Sequence, residues 1–360
     1  MEKSNLPVGQ YQRYLTVIEF VVFFRYNFVM KEKKILFINF GGLGDEILFL
    51  PTILSVKKEF PDSKITLALE PRSKGITSLT NVIDETVYAD IKGQNKYIEL
   101  FKLLFKIWLK KFDIVVSSGS NKFISIFLFL TFIKERYGYN SGKLSELLLT
   151  KAVPLNKKQY AVKMYHDLVR NITDINTDLP QINIDKNETI PNSVLIHPGV
   201  SLMSIRKGMI KTVPASTWAE VVEKLADAGK KVFLAGGPDD EEVIKTIVKK
   251  VPSEKFTNTF GKTRNLRELA ELISSSEKFL CSDSAPLHIG VAIGVQTYVI
   301  FGPTDDKKLI PDNKKVMPIK AFRCSCSDYP CLWEKRQTTC EKLSCLEISA
   351  DEIVNQILQT

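Results

Sequence analysis

Short apolar runs rich in β-branched residues alternate with helical stretches in both halves of this 360-residue chain. In the first half the runs lie at residues 35–40, 64–69, 87–89 and 113–116, and in the second half at 193–196, 231–235, 279–281 and 297–301. A continuous apolar run bounded by turns is typical of a parallel strand that is covered on both faces. Strands that alternate with helices predict an α/β fold built from doubly wound parallel sheets.

A break in this alternation predicts two domains. A chain of this length exceeds what one hydrophobic core usually carries. The pattern loosens at residues 181–192, where prolines bracket a polar stretch that is typical of a linker. We therefore expect an N-terminal extension (1–32), a Rossmann-like domain (33–180), and a second such domain (193–360) with a cysteine-rich segment (324–345) and a C-terminal helix. Two such domains would face each other across a central ligand cleft.

The positive charge is concentrated in the first half of the chain. Residues 1–190 hold 27 Lys and Arg against 20 Asp and Glu, a balance of +7 out of a total net charge of +9. Such a basic surface favours an anionic partner. The equal alternative is that the lysines are simply solvated and bind no partner. No nucleic-acid-reading motif accompanies the charge. We expect an anionic saccharide or glycolipid, or an anionic membrane surface, as the partner, and no nucleic acid.

Neither long apolar stretch of the first half predicts a spanning helix. The stretch at residues 15–30 is interrupted by Glu19 and Arg25, and the stretch at 123–133 is too short. The first residues also lack the pattern of a signal peptide. We expect a cytoplasmic protein that contacts the inner face of the inner membrane peripherally.

A glycine loop follows the first predicted strand and opens a helix. Its glycines are Gly41, Gly42 and Gly44. The loop lacks the third glycine of a dinucleotide fingerprint, but Glu70 ends the second strand, where a ribose-binding acid would stand. Asp45 would repel a pyrophosphate at the helix N-terminus, whereas it could accept a proton from an attacking alcohol. The alternative role for Asp45 is that of a helix cap.

Three loops in the second half predict a diphosphate site at the carboxyl ends of the strands. They contain His197 and Gly199, Gly236 and Gly237, and the segment Asp283–His288. Ser284 and the backbone N–H groups beside it would form an anion site, with His288 one turn further on the same helix face. Lys211 and Thr212 lie in the loop before another helix and could neutralise a leaving phosphate. Such loops at one sheet edge suit a nucleotide diphosphate.

Five of the six cysteines cluster near the C-terminus. In a chain without an export signal, a cluster is typical of a metal or redox site rather than of a disulfide framework. Four thiolates suit tetrahedral zinc or iron, which would be structural. The expected ligands are Cys326, Cys331, Cys340 and Cys345, with Cys324 as a substitute. Reduced thiols and disulfides are the alternatives, and Cys281 is expected to be buried in a strand.

Taken in order, these motifs resemble glycosyltransferase family 9, the ADP-heptose lipopolysaccharide heptosyltransferases and their relatives. The resemblance rests on GGLGDEILFLPTIL, HPG, a lysine before PASTWAEVVEKL, FLAGGPDDEE, and CSDSAPLHIGVAIGVQTYVIFGPTD. It covers about residues 33–310, and DSAPLHIG is its most specific part. The resemblance implies a GT-B fold, in which the first domain binds the acceptor and the second binds the nucleotide sugar.

The resemblance also implies residue roles. Asp45 matches the general base, and Lys211 matches the lysine that contacts the donor diphosphate. The acidic residue that holds the adenosine ribose is expected at Asp240 or Glu241. The donor motif D-[ST]-G-x-x-H is matched by Asp283, Ser284, Ala285 and His288, with Ala285 in place of the usual glycine. Some protein-directed members hold iron in a cysteine finger near the position of the cysteine cluster.

Together with the resemblance, these residues predict an inverting glycosyltransferase that moves a heptose or a related sugar from a nucleotide-diphosphate donor to a hydroxyl of a lipopolysaccharide-core or other saccharide. The resemblance implies ADP-heptose as the donor. The chain contains no Asp-x-Asp pair, so we expect no cofactor in catalysis. A protein O-heptosyltransferase is a variant of the same interpretation. A non-catalytic nucleotide-sugar-binding protein and an NAD-linked oxidoreductase are the alternatives from other classes.

Overall fold

The structure is a computed structural model, and it describes residues 32–176, 178–322, 324–332, 340 and 343–359. The predicted N-terminal extension therefore lies outside the described residues, except for Glu32. None of the helices in these ranges is long and apolar enough to cross a membrane. The apolar stretch at 123–133 contributes instead a helix of nine residues at the protein surface.

The first half folds around a six-stranded parallel sheet with the order β3-β2-β1-β4-β5-β6. Its elements are β1 (Lys34–Ile38), α1 (Leu43–Glu59), β2 (Lys64–Leu69), a 3₁₀ helix (Pro71–Ser78), β3 (Glu85–Tyr88), α2 (Lys96–Lys110), β4 (Ile114–Ser117), α3 (Lys122–Leu130), β5 (Glu135–Tyr139), α4 (Lys143–Leu148), β6 (Lys151–Val153), α5 (Ala161–His166) and a 3₁₀ turn (Asp167–Val169). The central strand β1 is buried on both faces, since Ile35 and Phe37 join the core beneath α1 while Leu36 and Ile38 join that beneath α2 and α3.

The second half repeats this topology, with the order β12-β11-β10-β7-β8-β9. Its strands are β7 (Ile190–His197), β8 (Lys231–Leu234), β9 (Phe256–Asn258), β10 (Ser276–Ser282), β11 (Gln296–Ile300) and β12 (Val316–Ile319). Its helices are α6 (Leu202–Arg206), α7 (Ala215–Asp227), α8 (Glu241–Lys250), α9 (Leu266–Ser274), α10 (Ala285–Ile293), α11 (Asp306–Leu309), α12 (Ala350–Leu358) and short 3₁₀ turns at Pro238–Asp240, Ser253–Lys255 and Ser344–Leu346. The C-terminal helix α12 is held by Lys278, whose buried Nζ donates to the Ile357 carbonyl at 2.7 Å.

Both sheets have the strand order of a dinucleotide-binding fold, and this confirms the expected α/β class with two doubly wound parallel sheets. In each half the strand order changes direction beside the first strand of the sheet. The loops after the two strands at this point run to opposite faces of the sheet and leave a crevice between them. The strand pairs at the reversals are β1 with β4, and β7 with β10. This topology brings the glycine loop after β1 and the loops after β7 and β10 to sheet edges that face one another.

Several strands at or next to the sheet edges were not expected from the sequence. No strand was expected at β5, β6, β9 or β12, each of which has five residues or fewer. Strand β7 begins at Ile190, so three residues of the expected linker belong to it. The first and second halves also share one apolar cluster, which includes Ile47 of α1 and Leu287 of α10. These two helices therefore pack against each other at the floor of the crevice.

Candidate active site

A cleft of about 1460 Å³ separates the two halves above the contact of α1 and α10. The expected site residues that line it are Gly42, Gly44, Asp45, His197, Gly199, Lys211, Gly236, Gly237, Asp240, Asp283, Ser284, Ala285 and His288. They come from loops at the carboxyl ends of strands in both sheets. Ligand pockets usually measure about 300–1,000 Å³, so this cleft has room for two ligands at once.

The N-termini of α1 and α10 meet at the base of the cleft. A Cβ at Gly44 would lie 3.0 Å from Cδ2 of His288 and 3.8 Å from Cα of Ala285. A side chain at position 44 would therefore press on the opposite half. The glycine at this position is required for close approach of the two helix ends rather than for an unusual backbone angle.

Asp45 is the third residue of α1 and faces the cleft. Its Oδ2 accepts a hydrogen bond from the backbone N–H of Gly42 at 2.7 Å, and the Tyr165 hydroxyl donates to Oδ1 at 3.3 Å. A Cβ at Gly41 would lie only 2.3 Å from Cβ of Asp45, so this position also requires a glycine. The expected N-cap role of Asp45 is therefore wrong, because Gly42 is the N-cap, and the carboxylate instead accepts from the Gly42 N–H as the third residue of the helix while it lines the cleft.

Two buried carboxyl groups lie behind the glycine loop. Both carboxyl oxygens of Glu46, and Nδ2 of Asn39, lack a hydrogen-bond partner within the described ranges. Burial raises the pKa of Glu46 well above its usual value, and the neighbouring Asp45 charge raises it further. Burial also raises the pKa of Glu70. Glu70 is not among the residues that line the cleft, which removes the geometric support for a ribose-binding acid at this position.

On the opposite side of the cleft, Lys211 is held by an ion pair. Its Nζ lies 3.2 Å from Oδ2 of Asp283, and the side chain is only 18% exposed. The Thr304 hydroxyl donates to the same Oδ2 at 2.5 Å. Asp283 therefore orients the lysine at the N-terminus of α10, where the peptide N–H groups also attract an anion. Pro286 has no N–H, so Ser284 and Ala285 supply the backbone donors of this helix end.

Thr212 lies behind this site and does not line the cleft. Its hydroxyl donates to the Pro198 carbonyl at 2.8 Å and accepts from Nε1 of Trp218 at 2.9 Å. The Ser282 hydroxyl lies 2.8 Å from it and reaches the same Pro198 carbonyl. This buried network joins the loops that carry Gly199 and Lys211, which gives Thr212 a structural position.

Two buried histidines remain neutral near pH 7. Burial lowers the pKa of His288 to about 4, while Asp283 and Asp45 oppose the shift. Burial likewise lowers the pKa of His197, whose Nε2 lies 3.5 Å from Oδ2 of Asp240. Nδ1 of each histidine lacks a protein partner in the described part of the chain. Both residues line the cleft as neutral rings, and their Nδ1 atoms are buried polar atoms.

The second half repeats the loop geometry of Asp45 at Asp240. Oδ2 of Asp240 accepts from the Gly237 N–H at 2.7 Å, and a Cβ at Gly199 would lie 1.5 Å from Oδ1. Burial raises the pKa of Asp240, and His197 opposes this shift. Glu241 instead pairs with Lys245 at 2.9 Å, is more than half exposed, and does not line the cleft.

Basic side chains that the sequence analysis did not single out also line the cleft. They are Arg72, Lys74, Lys92 and Lys157 from the first half, with Lys207 and Arg264 from the second. Nζ of Lys92 donates to the Phe40 carbonyl at 2.6 Å, and Arg72 donates to the Gly41 carbonyl at 3.3 Å. Arg72 and Lys74 directly follow β2, and this position after a parallel strand was the signal that could have identified them.

The cysteines gather beside the loop that leads to Lys211. A cavity of about 20 Å³ is lined by Cys326, Cys331, Cys340 and Cys345, together with residues 208–210. Burial and the neighbouring cysteines raise the pKa of Cys345 to about 12. Sγ of Cys324 lies 3.7 Å from the Ser344 hydroxyl. Within the described residues, which include all five of these cysteines, no three potential ligands converge in a metal-binding arrangement, so the observed geometry does not fit the expected metal site.

Comparison with known proteins agrees with this geometry. The model of glycosyltransferase family 9 (heptosyltransferase) matches residues 100–342. The chain is 25% identical over 285 residues to lipopolysaccharide heptosyltransferase 3 of Escherichia coli, with 73% of this chain and 81% of that protein covered.

Solved structures of low sequence identity share the fold. The glycosyltransferase family 9 protein of Veillonella parvula superposes with a TM-score of 0.70 at 22% identity, covering 91% of this chain and 96% of that chain. E. coli heptosyltransferase WaaC with ADP-2-deoxy-2-fluoro heptose gives 0.67 at 17% identity, covering 91% and 99%. The iron-containing dodecameric glycosyltransferase TibC of enterotoxigenic E. coli gives 0.55 at 14% identity, covering 92% and 77%. The fold is GT-B, and the chain belongs to glycosyltransferase family 9, the heptosyltransferase family.

Proposed function

We propose that this protein transfers a heptose from ADP-heptose to a hydroxyl of a lipopolysaccharide-core saccharide, with inversion at the anomeric carbon. The observation that carries the proposal is the cleft itself, which Asp45 lines from one half and the Lys211–Asp283 pair lines from the other. A base and a cationic pocket on opposite walls suit the two ends of a displacement reaction. The family membership favours this reaction over hydride transfer.

On the donor side, the proposed leaving group is ADP. Its negative charge grows as the bond to the sugar breaks, and oriented positive groups stabilise that charge most effectively. Lys211, held by Asp283, supplies a full positive charge, and the Ser284 and Ala285 N–H groups supply aligned dipoles. The neutral His288 and His197 rings line this side of the cleft without adding charge. Asp240 is the better candidate for the ribose contact, because Glu241 does not line the cleft.

On the acceptor side, Asp45 is the proposed general base. Its Oδ2 is held by the Gly42 N–H, which orients the carboxylate. The bond from Tyr165 to Oδ1 is long, so this oxygen can take the proton of an acceptor hydroxyl as that oxygen attacks the anomeric carbon. ADP leaves from the opposite face, and the configuration inverts. The four basic side chains that line the cleft from the first half, Arg72, Lys74, Lys92 and Lys157, favour an acceptor that carries phosphate or carboxylate groups.

Catalysis in this proposal needs no metal, because Lys211 and the N-terminus of α10 supply the positive charge at the diphosphate. The four cysteines of the small cavity are proposed to hold a structural zinc or iron ion, and no catalytic step is assigned to it. TibC, described as iron-containing, is the related structure that motivates this part. Elemental analysis of protein purified without chelators tests this metal site. Less than roughly 0.1 metal ion per chain would contradict it.

A cytoplasmic location of the protein also stays a prediction.

The proposal is tested by donor selectivity and turnover. A panel of ADP-, UDP-, GDP- and CMP-sugars should raise the melting temperature for the ADP-sugar only, since a ligand that binds the folded state stabilises it. Release of ADP should then require a saccharide acceptor. Release that requires a protein acceptor instead would support the protein O-heptosyltransferase variant. Stabilisation without release in any acceptor mixture would indicate a non-catalytic binding protein and contradict the proposal.

A further inference from the structure

The outer face of α2 and α3 exposes aromatic side chains where a surface helix normally presents polar ones. We name this surface the aromatic face and define it by Tyr97, Phe101, Phe105, Phe123, Phe129 and Phe132, which are between 43% and 75% exposed. In α2 the exposed rings are spaced four residues apart, while Leu103 and Ile107 pack against the sheet. The apolar surface of α2 is therefore wider than the stripe that packs on the sheet, and its exposed part is not covered within the described residues.

The two helices form one continuous surface. Nε1 of Trp108 donates to the Leu130 carbonyl at 2.9 Å, and its ring stacks on Phe132 with centroids 6.0 Å apart. These contacts join the end of α2 to the segment after α3. Because both helices cover the same side of the sheet, their exposed rings lie on one wall of the first half.

Lysines lie beside these rings. Helix α2 carries four lysines and one acidic residue, and α3 carries one lysine and no acidic residue. Nζ of Lys96 lies over the Tyr97 ring at 4.9 Å, and Nζ of Lys122 lies over the Phe123 ring at 5.6 Å. A surface with aromatic rings that can enter an apolar layer and ammonium groups that stay at its edge is complementary to an anionic lipid bilayer.

The aromatic face begins at the rim of the cleft. Lys92 and Tyr88 line the cleft just before α2, and Ser118 and Ser120 line it just before α3. Both helices run from these loops away from the cleft, because they follow the carboxyl ends of β3 and β4. A bilayer on the aromatic face would therefore lie beside the half of the cleft where Asp45 stands.

We propose that the aromatic face of α2 and α3 docks on an anionic phospholipid bilayer and presents the acceptor side of the cleft to lipid-linked saccharides. The role of this docking, presentation of the acceptor, rests on the proposed function, whereas docking on the bilayer does not require catalysis. A protein partner would be expected to bring acidic groups to the lysines. A bilayer supplies both the anionic headgroups and an apolar layer for the rings.

The test is flotation of the full-length protein with vesicles, in the absence of substrates. Vesicles of phosphatidylethanolamine and phosphatidylglycerol should carry the protein, and vesicles of phosphatidylcholine alone should carry much less. The variant F101Q/F105Q should lower the partition coefficient at least about tenfold, because two exposed rings no longer enter the bilayer. The variant K106E/K122E should lower it by about fivefold or more for each lysine, and the loss should shrink at high salt.

Matched controls place equivalent changes elsewhere on the surface. V248Q/L358Q alters two exposed apolar residues of α8 and α12, and K249E/K250E alters two lysines of α8. Both control variants should float with the vesicles as the unsubstituted protein does. All variants should have the melting temperature of the unsubstituted protein. F101Q/F105Q should also keep full turnover on a delipidated acceptor. Absence of that turnover in the unsubstituted protein as well as in every variant would count against the proposed function and leave the vesicle result intact.

Three outcomes would overturn the proposal. The first is equal flotation of F101Q/F105Q and the unsubstituted protein, as expected if residues 15–30 were the anchor. The second is absence of flotation with every vesicle. The third is a dimer in sedimentation that F101Q/F105Q dissociates, which would make the aromatic face an interface between two copies of this chain.

Discussion

Nζ of Lys211 lies 3.2 Å from Oδ2 of Asp283, and this ion pair ties the loop before α7 to the N-terminus of α10. The two residues are far apart in the sequence. Asp283 is almost fully buried, and the Thr304 hydroxyl holds the same oxygen. The aspartate is therefore fixed in the protein and orients the lysine.

The first prediction concerns this pair. Lys211→Ala should lower kcat by about 10²–10³, because it removes a preorganised charge from the leaving group. Asp283→Asn should lower kcat less and raise the donor Kd, because the lysine remains but loses its orientation. Steady-state ADP release and donor titration measure both effects. Lys249→Ala, on exposed α8, is the control, and equal kinetics of K211A and K249A would remove Lys211 from the site.

The second prediction concerns Gly44. Alanine at this position would bring a methyl group to 3.0 Å from the His288 ring and push the two halves apart. Because alanine favours the helix, the melting temperature of G44A should not fall by more than a few degrees. Its kcat/KM should fall at least about tenfold, since a misplaced half loses the alignment of base and donor. A kcat/KM unchanged from the unsubstituted enzyme would show that the approach of α1 and α10 is not needed.

The third prediction concerns the buried carboxyl of Glu46. Since its pKa is raised in the folded protein, the folded chain binds a proton that the unfolded chain has lost, and stability falls as the pH rises through the folded pKa. Glu46→Gln should therefore increase the free energy of unfolding at pH 8, by about 1–3 kcal/mol, and change it little at pH 4. Urea titrations at the two pH values measure this difference. Glu254→Gln, on the surface, should show none, and a pH-independent effect of E46Q would contradict a protonated Glu46.

The fourth prediction has the opposite sign and concerns His288. Its pKa of about 4 in the folded protein lies below its usual value of 6.5, so between these values only the unfolded chain is protonated. Stability from this residue is complete above pH 6.5 and is lost as the pH falls towards 4, with a total of up to about 3 kcal/mol. His288→Gln should flatten the dependence of stability on pH in this window. An unchanged slope would show that His288 is not buried as a neutral ring.

The sequence predicted the parts of the fold that depend on local pattern. Helix α10 was expected at its observed bounds, because Pro286 near its start and Gly294 after its end are strong local signals. The central strands were found because they are buried on both faces and read as continuous apolar runs. Strands β6 and β9 were missed because three residues at a sheet edge leave no periodic signal.

The site was predictable where loops follow strands, and not where contacts are long-range. Asp45, Lys211 and Asp283 stand in loops whose order along the chain already suggests a cleft. Tyr165 donates a hydrogen bond to Asp45 although the two residues are 120 positions apart, and Tyr165 belongs to no recognisable motif. Thr304, in the loop after β11, donates a hydrogen bond to Asp283. Thr212 is the opposite case, a residue that was expected to contact the ligand because it follows Lys211 in the sequence. Its hydroxyl is instead hydrogen-bonded within the protein.

The carboxylate of Asp45 is the proposed base of the transfer reaction. Asp45→Asn keeps the size of the side chain and an oxygen that can accept from the Gly42 N–H, but it removes the basic group. Donor binding, measured as the rise in melting temperature with ADP-heptose, should persist in this variant. The rate of ADP release with a saccharide acceptor should fall by about 10²–10⁴. Full turnover by D45N with the donor bound as tightly as before would contradict the account.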